Sequence, residues 1–352
     1  MSVIGFDIGT YAAKALLLNI KGKGKNYSVS LDGLGMSQMP PGVMSQWEDQ
    51  PIPARTAMGA AMRSLVKLCK LSRGRYAALS LSGETMIIKK ITMPVATQKE
   101  LKQSLALEAE QYIPYPINDV NIDGHILSTD DRYGQMSVLL VAARKEVVSN
   151  YIQAVSLTKV LKPAVIDVDS LAFYNAFDFV YPNSRENVIL VDIGASLIHI
   201  TVLSEGLPHT IKEESVGGQR MTEEIEDAFG LPPDQAEAIK LGTVEAPDKG
   251  EVNDIADRLV SNWLAAIERS IDSIRSEIQE YNPSKIILAG GCANLLGLAD
   301  QVQNHFNVQT EIFNPLKFVK YNPKKFDPGY LEYIGPQMAV SFGLAIRKQE
   351  II

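Results

Sequence analysis

Two stretches half a chain apart limit the fold more than anything else in this sequence. Val3 to Gly22 reads VIGFDIGTYAAKALLLNIKG and Val188 to Leu207 reads VILVDIGASLIHITVLSEGL. At an offset of 185 residues Val3, Ile4, Asp7, Ile8, Gly9 and Leu18 recur unchanged. In each copy an apolar run ends in Asp-Ile-Gly, a short small or polar segment follows, and a second apolar run ends near Gly. Apolar runs punctuated by glycine in this way predict a strand, a tight turn and a returning strand. The duplication predicts two related lobes, which suits a chain of 352 residues, about two domains' worth.

Glycine turns let backbone N–H groups approach phosphate oxygens that side chains would hold off. DIGTYAAK, Asp7 to Lys14, offers such a turn at Gly9, a hydroxyl at Thr10 and a cation at Lys14. DIGASLIH, Asp192 to His199, offers a second turn at Gly194, Ala195 and Ser196. Two more glycine pairs follow, Gly217-Gly218 before a helical stretch and Gly290-Gly291 after the apolar run KIILA. Carboxylates at both strand ends, Asp7 and Asp192, are tolerable beside phosphates with a cation between them. Magnesium in its water shell fits, because one or two carboxylates plus phosphate usually hold it. Either motif alone is equally a plain hairpin with Asp-Gly turn chemistry. The two together predict a clamp on one polyphosphate across a cleft. Lys14 reads as a phosphate contact or a solvated hairpin lysine, and His199 as a base or a hydrogen-bonded strand residue.

Between the hairpins, Thr97 and Glu100 are spaced as a capping box, and Leu101, Leu105, Ala109 and Tyr112 share a face, predicting a helix over 97–113 that Pro114 and Pro116 stop. Strands are predicted at 85–93, 121–127 and 135–143 and a helix from Glu146 to about Leu161, together a small α/β insert. Tyr112, Pro114, Tyr115 and Pro116 form an aromatic and proline cluster, with Ile113 among them, that reads as a peptide-binding rim or as a helix stop. Met36 to Pro53 reads as a long loop. After the second hairpin, helices are predicted from Gly217-Gly218 through Phe229, from Pro232 to Lys240, over 252–278, near 295–306 and over 336–347, the last with Ala339, Phe342, Gly343 and Ile346 on a narrow face.

Composition removes several classes. Acidic residues outnumber basic ones by 41 to 34, a formal charge of -7, which leaves no pool of cations to follow a nucleic-acid backbone. The two cysteines, Cys69 and Cys292, form no CxxC pair, so neither a disulfide framework nor a zinc site is predicted, and a reducing, cytoplasmic setting is expected. No signal peptide is expected, and the longest apolar run, Val138 to Ala143, falls far short of the roughly 20 residues of a membrane helix.

The order of these motifs resembles the actin-like ATPase superfamily over nearly the whole chain, with DIGTYAAK as phosphate 1, DIGASLIH as phosphate 2 and ILAGGCANLLGL, Ile287 to Leu298, as the adenosine motif. Within it, LKQSLALEAEQYIPYPINDVNIDGHIL, VGGQRMTEEI, DQAEAIKLG and NPLKFV resemble the PilM family of type IV pilus assembly proteins, itself akin to the division protein FtsA. The resemblance implies an α/β fold of duplicated actin-like, ribonuclease H-like lobes around a nucleotide cleft. It implies a first lobe of 1–84 and 162–186, an insert of 85–161, a second lobe of 187–335 and a C-terminal helix, 336–352, returning to the first lobe. It implies ATP or ADP with magnesium as ligand, contacts from Gly217, Gly218, Gly290 and Gly291, and ribose and adenine contacts from Glu237 and Lys240. Catalytic carboxylates are implied at Asp7, Asp192 and Asp167, with Asp169 the alternative to Asp167.

The implied partner is the cytoplasmic N-terminal tail of a PilN-like inner-membrane protein, lying in a groove between insert and first lobe near Tyr112, Ile113 and Tyr115. Other pilus components and further copies of the chain are possible partners, and membrane contact is indirect. Ile198 replaces the family's Ser or Thr, Leu197 adds bulk at the turn, and the Lys212-Glu213 neighbourhood lacks the family's Arg, which together imply slow or absent hydrolysis. A small-molecule kinase and a self-polymerising filament are the other readings open to this superfamily. Paired sugar-binding side chains of the kinase kind are not found.

Overall fold

The computed structural model describes residues 3–23, 26–44, 51–71, 74–83, 86–130 and 132–347. The expected boundary at 84–85 and the end of the chain, 348–352, lie outside the described residues. The first hairpin forms β1 (Val3–Ile8) and β2 (Ala12–Lys23), and β3 (Asn26–Gln38) extends it. Much of the loop expected over 36–53 is therefore shorter than the sequence suggests, since α1 (Pro51–Leu68) starts at a proline, whose fixed φ suits a first helical turn. Then β4 (Arg75–Leu81) returns beside β1 in parallel.

The insert follows as β5 (Met86–Pro94), α2 (Gln98–Ala109), β6 (Val120–Asp130) and β7 (Gln135–Arg144), in a three-stranded antiparallel sheet of order β5-β7-β6. Thr97 and Glu100 make the expected capping box. The helix ends at Ala109 rather than 113, consistent with the bias of residues that precede proline, here Ile113 and Tyr115, away from the helical region.

Next come α3 (Lys145–Ser156), β8 (Leu161–Val168) and α4 (Asp169–Val180). The helix read as running to about Leu161 stops five residues sooner, and Leu161 opens β8. Pro163 lies within β8, ahead of α4. Pro163 is accommodated because β8 is an edge strand. Val147, Tyr151, Ala154 and Val155 of α3 pack with α1 in the first lobe's core, whereas the residues sharing the insert's own core run from Ile87 to Ala142.

The second lobe repeats the first: β9 (Val188–Ile193), β10 (Ile198–Ser204) and β11 (Leu207–Glu214) form the meander. Helices α5 (Gln219–Phe229), α6 (Pro233–Lys240) and α7 (Lys249–Arg275) follow, then β12 (Lys285–Ala289), α8 (Leu298–Phe306), β13 (Gln309–Ile312), α9 (Pro328–Ile334) and α10 (Ala339–Ile346). The two large sheets have matching orders, β3-β2-β1-β4-β8 and β11-β10-β9-β12-β13.

Layering follows from which face each strand buries. One core joins facing residues of both sheets, such as Leu16, Ala78, Leu190 and Ile287, to Phe173 of α4 and Phe342 of α10. The outer face of the first sheet is covered by α1 and α3, and that of the second by α5 to α8. Because α10 lies between the sheets, Ala339 to Ala345 are buried on all sides rather than along the narrow face expected. No helix among the described residues is long and apolar enough to cross a membrane.

Candidate functional site: the cleft between the two hairpins

The two Asp-Ile-Gly turns are built alike. Gly9 N–H donates to Ala12 O at 3.2 Å, and Gly194 N–H donates to Leu197 O at 2.9 Å. They face each other across the lobes, where the Ser196 hydroxyl donates to Thr10 Oγ1 at 2.8 Å. Between them opens a cavity of about 660 Å³, lined by Asp7, Gly9, Thr10 and Lys14 from the first lobe and Asp192, Gly194, Ala195 and Ser196 from the second. Glu237, Lys240, Gly290 and Gly291 line it farther along.

Hairpin register pairs each carboxylate with the residue seven positions on, Asp7 with Lys14 and Asp192 with His199. Lys14 Nζ donates to Asp7 Oδ2 at 2.8 Å, and both side chains are largely buried. Burial alone would lower the Lys14 pKa; attraction and hydrogen bonding from Asp7, with attraction from Asp192 and Asp169, raise it overall. The ammonium therefore keeps its proton.

Burial raises the Asp192 pKa, and repulsion by Asp7 adds to this, while His199 and Lys14 oppose it. His199 Nε2 lies 3.3 Å from Glu213 Oε1, out of line for a hydrogen bond, so the contact is one of charge, and neither ring nitrogen has a hydrogen-bond partner. Burial disfavours the charged ring, but Glu213, then Asp169 and Asp192, outweigh it and push the pKa up to about 9. His199 stays protonated at neutral pH, the wrong state for a base.

A third carboxylate joins them. Asp169, at the start of α4, lines the cleft and accepts a hydrogen bond from Ser80. Burial first, then Asp7, pushes its pKa up to about 7. Asp167, the residue favoured from sequence, is not among the cleft residues. It is buried in an ion pair with Arg347, because two positions along an extended strand place side chains differently from the first residue of a helix.

Gly217 and Gly218 also fall outside the lining. Gly218 N–H is already committed to Gly194 O at 2.9 Å, and Gln219 N–H to Ala195 O at 2.7 Å, so these two donors hang α5 on the second turn. Lys240 is similarly engaged: Nζ lies 2.6 Å from Glu237 Oε2 and donates to Thr222 Oγ1 and Gly218 O. Glu237 and Lys240 line the cavity as a mutually bonded pair.

Gly290 has φ of +90°, and a Cβ there would overlap Asp192 Oδ1 and Ile193 O. Ile198 is fully buried in the second lobe's outer core and does not crowd the cleft; Leu197 does line it. Tyr151, Tyr333 and Gln337 also line the cavity without having been singled out, as do Gln219 and Cys292, which had no site role from sequence. No short motif marks Tyr151, Tyr333 or Gln337, whereas Gln219 and Cys292 each stand next to a glycine pair in sequence.

The insert residues separate. Ile113 is buried in the insert core and Tyr112 packs against that core, so Ile113 offers no surface to a partner. Tyr115 is exposed, with the Arg144 guanidinium 5.8 Å from its ring centroid. Lys145 Nζ donates to Asn118 O at 2.7 Å, which places Tyr115 beside the joint of insert and first lobe.

Residues 5–349 match the sequence family described as type IV pilus assembly protein PilM. The chain belongs to this family. FtsA of Escherichia coli K12 is 25% identical over 233 residues, 57% of this chain and 54% of FtsA, so the chain spans about half the length of that curated relative. FtsA of Pseudomonas aeruginosa is 21% identical over 345 residues, 89% of this chain and 83% of FtsA. Among solved structures, a PilM-PilN type IV pilus biogenesis complex aligns with TM-score 0.85 and 27% identity over 99% of both chains. MreB5 of Spiroplasma citri bound to AMPPNP aligns with TM-score 0.53 and 11% identity over 99% of this chain and 96% of its own. That likeness confirms the actin-like fold, and the matched pair of five-stranded sheets is the duplicated lobe architecture expected of PilM family chains.

Proposed function

We propose that this chain binds ATP or ADP with magnesium in the cleft and acts as an adaptor of type IV pilus assembly, holding the cytoplasmic N-terminal tail of a PilN-like inner-membrane protein and linking it to the pilus machinery. One observation carries the reading: both Asp-Ile-Gly turns, the Glu237–Lys240 pair and Gly290-Gly291 line a single cavity although they are scattered along the chain. Family membership and the likeness to a PilM-PilN complex support the partner. A net charge of -7 disfavours direct residence on an anionic leaflet, so the tail is the tether, and the chain sits peripherally at the inner membrane.

Among the described residues no group of three His, Cys, Asp or Glu side chains stands close enough to hold a metal ion. The donor set fits magnesium held mainly by phosphate and water, with Asp192 and Asp7 at its outer side. When bound, the ion would offset phosphate charge between those carboxylates. Asp169 is the third carboxylate of the site. Hydrolysis is slow or absent, because Leu197 occupies the second turn and protonated His199 cannot accept a proton from water. Turnover in the range of about 1 to 100 per second would refute that.

The unit boundaries we propose keep the second lobe at 187–335 and the C-terminal helix from 336, and shift α3 from the insert to the first lobe. The tail lies at the joint where Tyr115 meets Arg144. Calorimetry with ATP, ADP and a synthetic tail peptide tests both halves. Tyr115→Ala is expected to weaken the peptide about tenfold with ATP affinity unchanged. Peptide binding equal to wild type would misplace the groove, and folded wild-type protein that binds neither nucleotide would overturn the cleft assignment.

A further inference from the structure

The second lobe touches the insert and its approach through two residues of one strand, His209 and Glu213. On β11, His209 meets Lys90 of β5, and Glu277 lies 3.4 Å from both Lys90 Nζ and His209 Nε2. Two pairs of residues along, Glu213 reaches the loop after β4, where its Oε2 accepts from Gly83 N–H at 2.8 Å. Gly83 is where the chain leaves the first sheet for the insert. The other oxygen, Oε1, faces His199 at 3.3 Å. His199 is only 7% exposed, lines the cavity, and has no hydrogen-bond partner at either ring nitrogen. Glu213 itself is not among the lining residues.

We propose that Glu213 is a positioning residue joining the phosphate end of the cleft to the insert: it divides its charge between His199, which faces the cavity, and the Gly83 N–H, which anchors the insert's approach. The proposal rests on nucleotide occupying the cleft. An anionic phosphate beside His199 competes with Oε1 for the ring, and the carboxylate charge then falls more fully on Gly83 N–H. A hydrogen bond to a charged acceptor strengthens as that charge is freed. Nucleotide thereby tightens the link between the second lobe and the insert, the part of the molecule to which the tail was assigned.

Hydrogen exchange at the Gly83 amide of the full chain, with and without saturating ATP, is the test. Wild type is expected to exchange about fivefold more slowly with ATP, on the scale of part of one charge-assisted hydrogen bond. Glu213→Ala is expected to exchange faster than wild type without ATP and to show no ATP response. Glu213→Gln keeps an acceptor for Gly83 but no charge for His199; it is expected to match wild type without ATP and to lose the response, and it carries the test if the alanine variant does not fold. A Glu213→Gln protein that slows with ATP as wild type does, in a sample shown by calorimetry to bind ATP, overturns the proposal alone. Failure of wild type to bind ATP overturns the cleft reading on which it rests.

Discussion

The two hairpins share the same Asp-Ile-Gly turn and end in opposite electrostatic arrangements. In the first, Asp7 sits across the ladder from Lys14 and the two form a direct ion pair at 2.8 Å. In the second, Asp192 sits across from His199, whose charge is drawn also toward Glu213 on the neighbouring strand. The same backbone register therefore yields a closed pair in one lobe and a shared cation in the other. A fixed, closed pair suits a static phosphate contact. A shared cation suits a group that responds to what enters the cleft.

Removing the cations separates the two arrangements most strongly. Lys14→Met leaves Asp7 buried without its partner and is expected to cost about 3 kcal/mol in denaturant unfolding, together with most of the nucleotide affinity. His199→Gln is expected to cost only about 1 kcal/mol, because Glu213 keeps the Gly83 N–H. Equal costs would mean that His199 is as closed a partner as Lys14.

The turns after the parallel strands extend the contrast. Gly290 follows β12 with φ of +90° and is pressed against Asp192, whereas Gly83 follows β4 with φ of +70° and has only Leu197 Cδ1 nearby, at 3.5 Å from where a Cβ would stand. Gly290→Ala is expected to lose about 2 to 3 kcal/mol and to disturb nucleotide binding, since both strain and overlap apply. Gly83→Ala should lose about 1 kcal/mol from strain alone. Thermal unfolding of the two variants measures the difference.

The last effect, read as a slope in pH, concerns Asp169, which belongs to neither hairpin. Burial holds its folded pKa at about 7, above its ordinary 3.8, so its contribution is fully present below the ordinary value and is lost as pH rises toward 7. Relative to Asp169→Asn, wild type should therefore become less stable between about pH 4 and 7, by roughly 1 kcal/mol per pH unit. Unfolding midpoints of the two proteins across that range check the sign. Parallel curves would mean that the carboxyl is solvated.

Much of the site was legible because it is local. Asp-Ile-Gly turns and KIILAGG are set by neighbours in sequence, whereas Glu237 and Lys240 came only through the family resemblance and the Asp7–Lys14 pair appeared only with the strand register. The choice between Asp167 and Asp169 was not legible. It depends on where β8 stops and α4 starts, and on the ion pair that Arg347 brings from the far end of the chain. Gly217-Gly218 shows a related limit: glycine marks a close approach, but sequence alone does not show that the backbone of the second turn makes one here.

From the order of amino acids alone come the duplicated lobes, the α/β class, the paired Asp-Ile-Gly turns and the capped helix of the insert, all of which rest on contacts within a few residues or on periodicity. Tertiary structure decided the rest: that α3 packs with the first lobe, that Ile113 is core and Tyr115 surface, and that Glu213 stands between a cavity histidine and the loop leading to the insert. Those outcomes depend on which faces of distant segments are buried against one another. Burial sets both the charge state of a side chain and its access to a partner, and neither is encoded in any one stretch of the chain.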